Sequence, residues 1–234
     1  GSRELPVKFV VQSDPGYGPL GSWGGLLVVN AQVESILRYT SVIGTAEAGS
    51  RFATRQDSHG LTGCITFYKS DVLIEDSSFH GLQCEDSLNV ISSNFDISRL
   101  EIVGAAGDAF DSDFSTGSVV DSSLRNVAND GIDISGSVVR VKSSKFVNIG
   151  DKAISVGERS DLMASELDIK SSLAGIVSKD LSVATIRDSG FENINGSALM
   201  AYVKKEEYGP AEINCINCLF SNVESVTAKQ FETH

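Results

Sequence analysis

Segments of this chain repeat with a step of 22 residues. Phe110, Ile132, Ile154 and Ile176 are equally spaced, Leu88 extends the series backward, and Leu199 extends it forward with one extra residue. The strings around them are alike: Asp108-Ala109-Phe110-Asp111, Asp130-Gly131-Ile132-Asp133 and Lys152-Ala153-Ile154-Ser155. A fixed period of this length marks a solenoid, in which each turn buries its apolar side only against its neighbours.

The repeat unit is rich in strand signals. Short β-branched runs such as Leu26-Leu27-Val28-Val29 and Val138-Val139-Arg140-Val141 alternate with clusters of Ser, Asn, Asp and Gly. Twenty-two residues are too few for a strand, a full helix and their turns, so an all-β coil is expected. Two further ladders share the spacing: Ile97, Val119 and Val141, then Ile102, Leu124 and Phe146. Strand alternation turns Phe110, Ile132 and Ile154 inward and Asp111, Asp133 and Ser155 outward. About eight coils are expected over residues 25–225. Residues 1–24 read as a cloning remnant, Gly1-Ser2, followed by an N-terminal cap containing Trp23. Residues 226–234 read as a tail cut from a longer chain, with possible flanking domains. Two polar insertions, 45–60 and 204–210, read as protruding loops.

The 234 residues carry 31 acids and 19 bases, a net charge of −12. That balance argues against nucleic acid, which needs a basic face. No apolar run is long enough to span a bilayer. Cys64, Cys84, Cys215 and Cys218 complete no zinc site, and buried thiols are the expected state, with a disulfide left open.

The pattern of Ser-x-Phe, a Gly/Asn/Asp turn and then Asp-Gly-Ile-x-x-Ser resembles the right-handed parallel β-helix repeats of the pectate-lyase-like superfamily. Ser144-Lys145-Phe146 through Asp151-Lys152-Ala153-Ile154-Ser155 carries it, as does Ser189-Gly190-Phe191 through Ala198-Leu199. The strings Glu85-Asp86-Ser87-Leu88-Asn89 and Asp151 to Glu158 are similar to β-helix segments of large bacterial secreted or surface proteins. The resemblance implies a right-handed parallel β-helix at the cell surface or outside the cell. It also implies a polysaccharide or another surface polymer as partner. The superfamily holds lyases, hydrolases, uronate epimerases and adhesins, so the resemblance fixes no activity.

Folding the chain on its period gathers an acidic patch. Asp86, Asp108 and Asp130 stack at one turn position, followed by Lys152. Asn89, Asp111, Asp133 and Ser155 stack on the adjoining strand, with Asp113 two residues on. Carboxylates on neighbouring coils stand about 4.8 Å apart and repel by roughly 1 kcal/mol in water, more where partly buried. Ca2+ coordinated by Asp86, Asp108, Asp111, Asp130 and Asp133 would relieve this. So would Lys152 as counter-charge, backbone N–H bonds to the turn aspartates, or retained protons. Ser87, Ala109, Gly131, Ala153, Gly175 and Ala198 are small and would form a shallow floor beside the carboxylates. Asn89, Asp111, Asp113, Asp133, Ser155 and Glu158 are the expected ligand contacts.

Two functions fit. One is a non-catalytic module that binds carbohydrate or serves as a scaffold. The other is a polysaccharide-active lyase, epimerase or hydrolase using Asp108, Asp111, Asp133 and Lys152. Lys152 is the one obvious base near the patch, with Arg125 and Arg159 further out. The Asn-Thr-Asp, Gly-His-Gly and Arg-Ile-Lys motifs of polygalacturonase-like hydrolases are missing. His59, His80 and His234 are isolated. These gaps favour the non-catalytic module.

Overall fold

The computed structural model describes residues 1–10, 25–44 and 61–229. Residues 11–24 of the expected cap, including Trp23, the 45–60 insertion and the last five residues lie outside them. The strands begin with β1 (Val7–Val10), β2 (Leu26–Val29), β3 (Ser35–Arg38), β4 (Thr40–Ile43), β5 (Gly63–Tyr68), β6 (Val72–His80) and β7 (Asp86–Ile91). They continue with β8 (Asn94–Val103), β9 (Asp108–Asp113), β10 (Thr116–Val120), β11 (Ser123–Val127), β12 (Ile132–Ser135), β13 (Val138–Lys142) and β14 (Lys145–Gly157). The last are β15 (Asp161–Ser165), β16 (Asp168–Lys179), β17 (Val183–Arg187), β18 (Gly190–Tyr202), β19 (Glu212–Ile216) and β20 (Leu219–Lys229).

The described strands pair in parallel, and they form three ladders along a β-solenoid. The first ladder runs through β2, β5, β7, β9 and β12, then the second halves of β14, β16, β18 and β20. The expected stacks hold: Leu88 on Phe110, Phe110 on Ile132, Ile132 on Ile154, Ile154 on Ile176 and Ile176 on Leu199. So do Ile97–Val119–Val141 in the second ladder and Ile102–Leu124–Phe146 in the third.

The regular repeat is shorter than the sequence suggested, about six turns rather than eight. From Ile65 to Leu199 the first ladder advances by six steps of 22 or 23 residues. The flanking steps are Leu26 to Ile65, 39 residues, and Leu199 to Thr227, 28 residues, because each carries an insertion.

The interior is apolar throughout its length, with Phe67, Phe79, Phe110, Phe146 and Phe191 all buried. Packing of stacked aliphatic and aromatic side chains on successive turns supplies the main stabilisation. The bends are held differently. Ser70, Ser93, Ser115, Ser137, Ser160 and Ser182 are buried in one column. The backbone N–H of each of the first five donates to the hydroxyl of the next, at 2.8–3.1 Å. The hydroxyls of Ser70, Ser93, Ser115 and Ser137 donate to the carbonyl two residues back. This column satisfies N–H groups that a sharp corner would otherwise strand. Ser137→Ala leaves the buried Ser115 N–H without its acceptor and is expected to cost about 1–3 kcal/mol. Urea unfolding checks this, and a midpoint equal to the parent's would rule it out.

The cysteines are bridged, contrary to the expectation of free thiols. Cys64 pairs with Cys84 across 5.5 Å between Cα atoms, and Cys215 with Cys218 across 6.0 Å. Stacking brings the start of β5 beside the residue that leads into β7, a proximity that sequence spacing alone does not reveal. Two disulfides fit an oxidising, extracellular setting. Among the described residues no helix is long and apolar enough to cross a membrane.

Candidate functional site

The first ladder carries the acidic patch. Register places Asp86 beside Asp108, Asn89 beside Asp111, Asp111 beside Asp133, and Asp133 beside Ser155. Asp113 pairs with Ser135 one row further along the strand. Register therefore sets these residues beside their counterparts on successive coils, and Glu158 sits at the bend just after β14.

Two of the anticipated compensations operate. The Asp108 carboxylate accepts the backbone N–H of Asp130 at 2.8 Å and the Asn129 amide at 2.6 Å. The Asp130 carboxylate accepts the backbone N–H of Lys152 at 3.0 Å and its ammonium at 3.3 Å. These bonds run from coil to coil, so the aspartates stitch neighbouring turns together. Lys152 also pairs with Asp151. Asp86, only 3% exposed, accepts from the Thr62 hydroxyl at 2.6 Å. Asn89, 2% exposed, donates to Asp111 at 2.9 Å and reaches Asp86 at 3.5 Å.

These contacts do not balance the charge. Burial, aided by the neighbouring Asp113, Asp86, Asp133 and Asp108 carboxylates, pushes the Asp111 carboxyl up to about 10. Burial pushes Asp86 to about 7 against the Thr62 bond, and Asp108 to about 6 against the Asp130 N–H. Asp113 and Asp130 are raised by the same cause. Burial opposes the Lys152 charge, but Asp151 and Asp130 hold the ammonium above its ordinary value. Asp133 Oδ1 and Asn89 Oδ1 are buried with no hydrogen-bond partner.

Asp108, Asp130 and Asp133 each place a carboxylate oxygen within 4.8 Å of the other two. Oxygens bound to one hard cation at about 2.4 Å are separated by at most twice that distance. The trio therefore meets the spacing that a single metal ion requires. Asp86 and Asp111, expected as further ligands, lie outside it.

The expected floor of small residues is not a surface. Ser87, Ala109, Ala153 and Ala198 are fully buried. A Cβ on Gly131 would meet the Ala153 carbonyl oxygen at 2.5 Å and the Phe146 ring at 2.9 Å. Small residues at this row let the chain bend tightly over the core. Ser155 is likewise 0% exposed, and its hydroxyl accepts from the Lys179 ammonium at 2.7 Å. Glu158 is taken by Lys205. The 204–210 insertion is tied back rather than protruding. Buried Asp180 accepts the N–H groups of Lys204 and Lys205 at 2.6 and 2.9 Å, and Arg159 lies over the Tyr208 ring. Arg125 is engaged by Glu101.

Sequence reasoning missed Lys179, which is 7% exposed although charged. The signal was present: Asp113, Ser135, Gly157 and Lys179 follow the same 22-residue step. It also missed how the patch ends. Beyond Ser155 the same row becomes Val177 and Met200, and the Asp130–Lys152 row becomes Ala174. A cavity of about 340 Å³ opens there, lined by Lys152, Ala174, Val177, Ser197, Met200 and Tyr202 among others.

No known protein family matches the chain, and no curated protein matches it. Among solved structures it is similar to a variant of the GH87 alpha-1,3-glucanase catalytic domain in complex with nigerose. The TM-score is 0.45 at 11% identity, over 89% of this chain and 54% of that one. It is also similar to PfbA, a surface adhesin of Streptococcus pneumoniae, with a TM-score of 0.28 at 10% identity, over 88% and 75% of the two chains. The chain thus spans about half the length of the glucanase domain. Likenesses of this strength assign no residue and no activity. The strand pairing itself makes the chain a parallel β-helix, as its resemblance to the pectate-lyase-like repeats implied.

Proposed function

We propose that this β-helix is a non-catalytic surface module that binds carbohydrate along its first ladder. A divalent cation, calcium by the hardness of its ligands, sits between Asp108, Asp130 and Asp133. One observation carries this reading: Asp133 Oδ1 and Asn89 Oδ1 are buried acceptors without donors, within a carboxylate group to which Lys152 alone brings an ion pair among the described residues. Acceptors so enclosed call for a cation held between the coils. Sugar hydroxyls supply donors at repeated spacing, and the ladder repeats its own acceptors along the axis. The two disulfides support an extracellular setting, and the resemblance to bacterial surface repeats supports a bacterial surface as that setting.

Thermal melts with millimolar calcium and with EDTA test the cation, and titration calorimetry against a polysaccharide panel in calcium tests the ligand. Saturation at about 100 times Kd adds about 2.7 kcal/mol, so the midpoint should rise clearly. Identical midpoints in calcium and EDTA would remove the cation from the reading. Absence of heat with every glycan would remove the ligand.

A second reading, a polysaccharide-active enzyme, is favoured by one feature. Burial and the neighbouring Asp113 and Asp133 carboxylates push the Asp111 carboxyl up to about 10, in the direction that suits a general acid next to a carboxylate partner. Release of reducing ends or unsaturated products, abolished in Asp111→Asn, would support it. An inert chain that binds glycan returns the weight to the module.

A further inference from the structure

The row that carries Asp111 and Asp133 changes character along the axis. Asp133 pairs with Ser155, Ser155 with Val177, and Val177 with Met200. The neighbouring row changes in step, from Asp130 to Lys152 and then Ala174. Lys152 marks the boundary, because its ammonium lies 3.3 Å from Asp130 and its side chain lines the cavity beyond. That cavity, about 340 Å³, falls at the small end of ligand-binding pockets. Ala174, Val177 and Met200 give it an apolar lining, Ser197 and Tyr202 are the hydroxyl-bearing residues around it, and Asp151 lines it as the ion-pair partner of Lys152.

We infer that this cavity is a subsite for the acetyl group of an acetylated saccharide lying along the first ladder. The inference rests on the carbohydrate reading above and names the ligand class for it. The chemistry follows from the lining. An unsubstituted sugar presents hydroxyls around its ring and would strip their water against Val177 and Met200 without replacing it. An acetyl group presents a methyl to that wall and a carbonyl oxygen to the Tyr202 and Ser197 hydroxyls. Burial holds the Tyr202 phenol above its ordinary value, although Lys152 opposes this, so the phenol keeps its proton as a donor. The acidic rows on the other side of Lys152 accept the hydroxyls of the adjoining sugar. The acetyl group can belong to an N-acetylhexosamine or to an O-acetylated sugar, and the chemistry is shared.

Two pairs of probes separate the sources, both titrated calorimetrically against the full chain in calcium. Tri-N-acetylchitotriose is compared with cellotriose, which keeps the β-1,4 backbone and replaces the acetamido group by hydroxyl. Acetylated xylotriose is compared with its saponified form. The acetylated member of one pair should bind about tenfold more tightly, the discrimination that a small apolar group commands in a pocket. Ser197→Trp, which fills the cavity from a partly exposed position, should abolish that preference. Met200→Gln, nearly isosteric and polar, should reduce it, which guards against a misfolded tryptophan variant. Equal affinity within both pairs overturns the inference and leaves the carbohydrate reading standing if the unsubstituted sugars bind. A preference that survives both substitutions overturns it as well. Absence of binding by all four probes and by the wider panel overturns the carbohydrate reading, and the inference falls with it.

Discussion

In EDTA, Asp111→Asn raises the melting midpoint, and its advantage over the parent grows as pH rises from about 5 to about 9. The Asp111 carboxyl ionises near its ordinary value of 3.8 in the unfolded chain and near 10 in the fold. Across that interval the folded state holds a proton that the unfolded state has released. Stability contributed by this group is therefore greatest in acid and is lost as pH climbs from the unfolded value toward the folded one. Asp86, raised to about 7, and Asp108, raised to about 6, add to the loss in the lower part of the same window. One pH unit corresponds to about 1.4 kcal/mol for a single fully linked proton. Sharing of protons among the aspartates reduces the net gain from asparagine to about 2–4 kcal/mol at pH 8. For a chain of this size that is about 5–15 °C. Calcium acts in the opposite sense, because it stabilises the ionised carboxylates. Asp111 lies outside the cation trio, so saturating calcium should narrow the gap only by offsetting the Asp133 and Asp108 charges that Asp111 faces. A midpoint gap that stays constant from pH 5 to pH 9 in EDTA would show that Asp111 is not held protonated, and the imbalance argued for this face would go with it.

The stacking that creates this imbalance was legible before any coordinates. Equal spacing of Phe110, Ile132 and Ile154 fixes the register of the first ladder, and register alone brings Asp111 onto Asp133. What spacing does not convey is where alternation breaks. Simple in-out counting from Ile132 puts Gly131 on the outer face, which is why the small residues read as a groove floor. The ladder is irregular just there, between Ile149 and Lys152 in β14 and again between Ser172 and Ile176 in β16, so the row turns inward at the bend. The serine column escaped notice for a different reason. Serine is common in any turn, and nothing in Ser93, Ser115 or Ser137 as letters says that a hydroxyl on one coil accepts from the N–H of another. Lys179 was reachable by the same arithmetic as Asp111. Its burial was not, because it follows from the side chain reaching back across Gly157 to Ser155.

The inward turn of the Gly131 row makes the last prediction. Phe146 is fully buried, stacked between Leu124 and Ile169 in the third ladder. Phe146→Ala should cost about 3–5 kcal/mol, the usual loss for a core aromatic. Gly131→Ala should cost about 1–3 kcal/mol, since its new Cβ meets both the Phe146 ring and the Ala153 carbonyl oxygen. The two sites share that ring, so their costs should not add. With Phe146 shortened, one of the two contacts disappears while the backbone contact remains, and the double variant should fall short of the sum by at least about 0.5 kcal/mol. Were Gly131 part of an outer floor, its substitution would cost nearly nothing and would be additive with any core change. Gly131 also lies directly between Asp130 and Ile132, two residues before Asp133. Shifting this bend away from Ala153 displaces two of the three carboxylates that fit a cation. Gly131→Ala should therefore weaken calcium stabilisation as well as the fold, whereas Phe146→Ala should affect chiefly the fold. Calcium-dependent melts of the two single variants read that difference. Equal calcium shifts in both would mean that the geometry of Asp108, Asp130 and Asp133 does not depend on how closely this bend lies on the core.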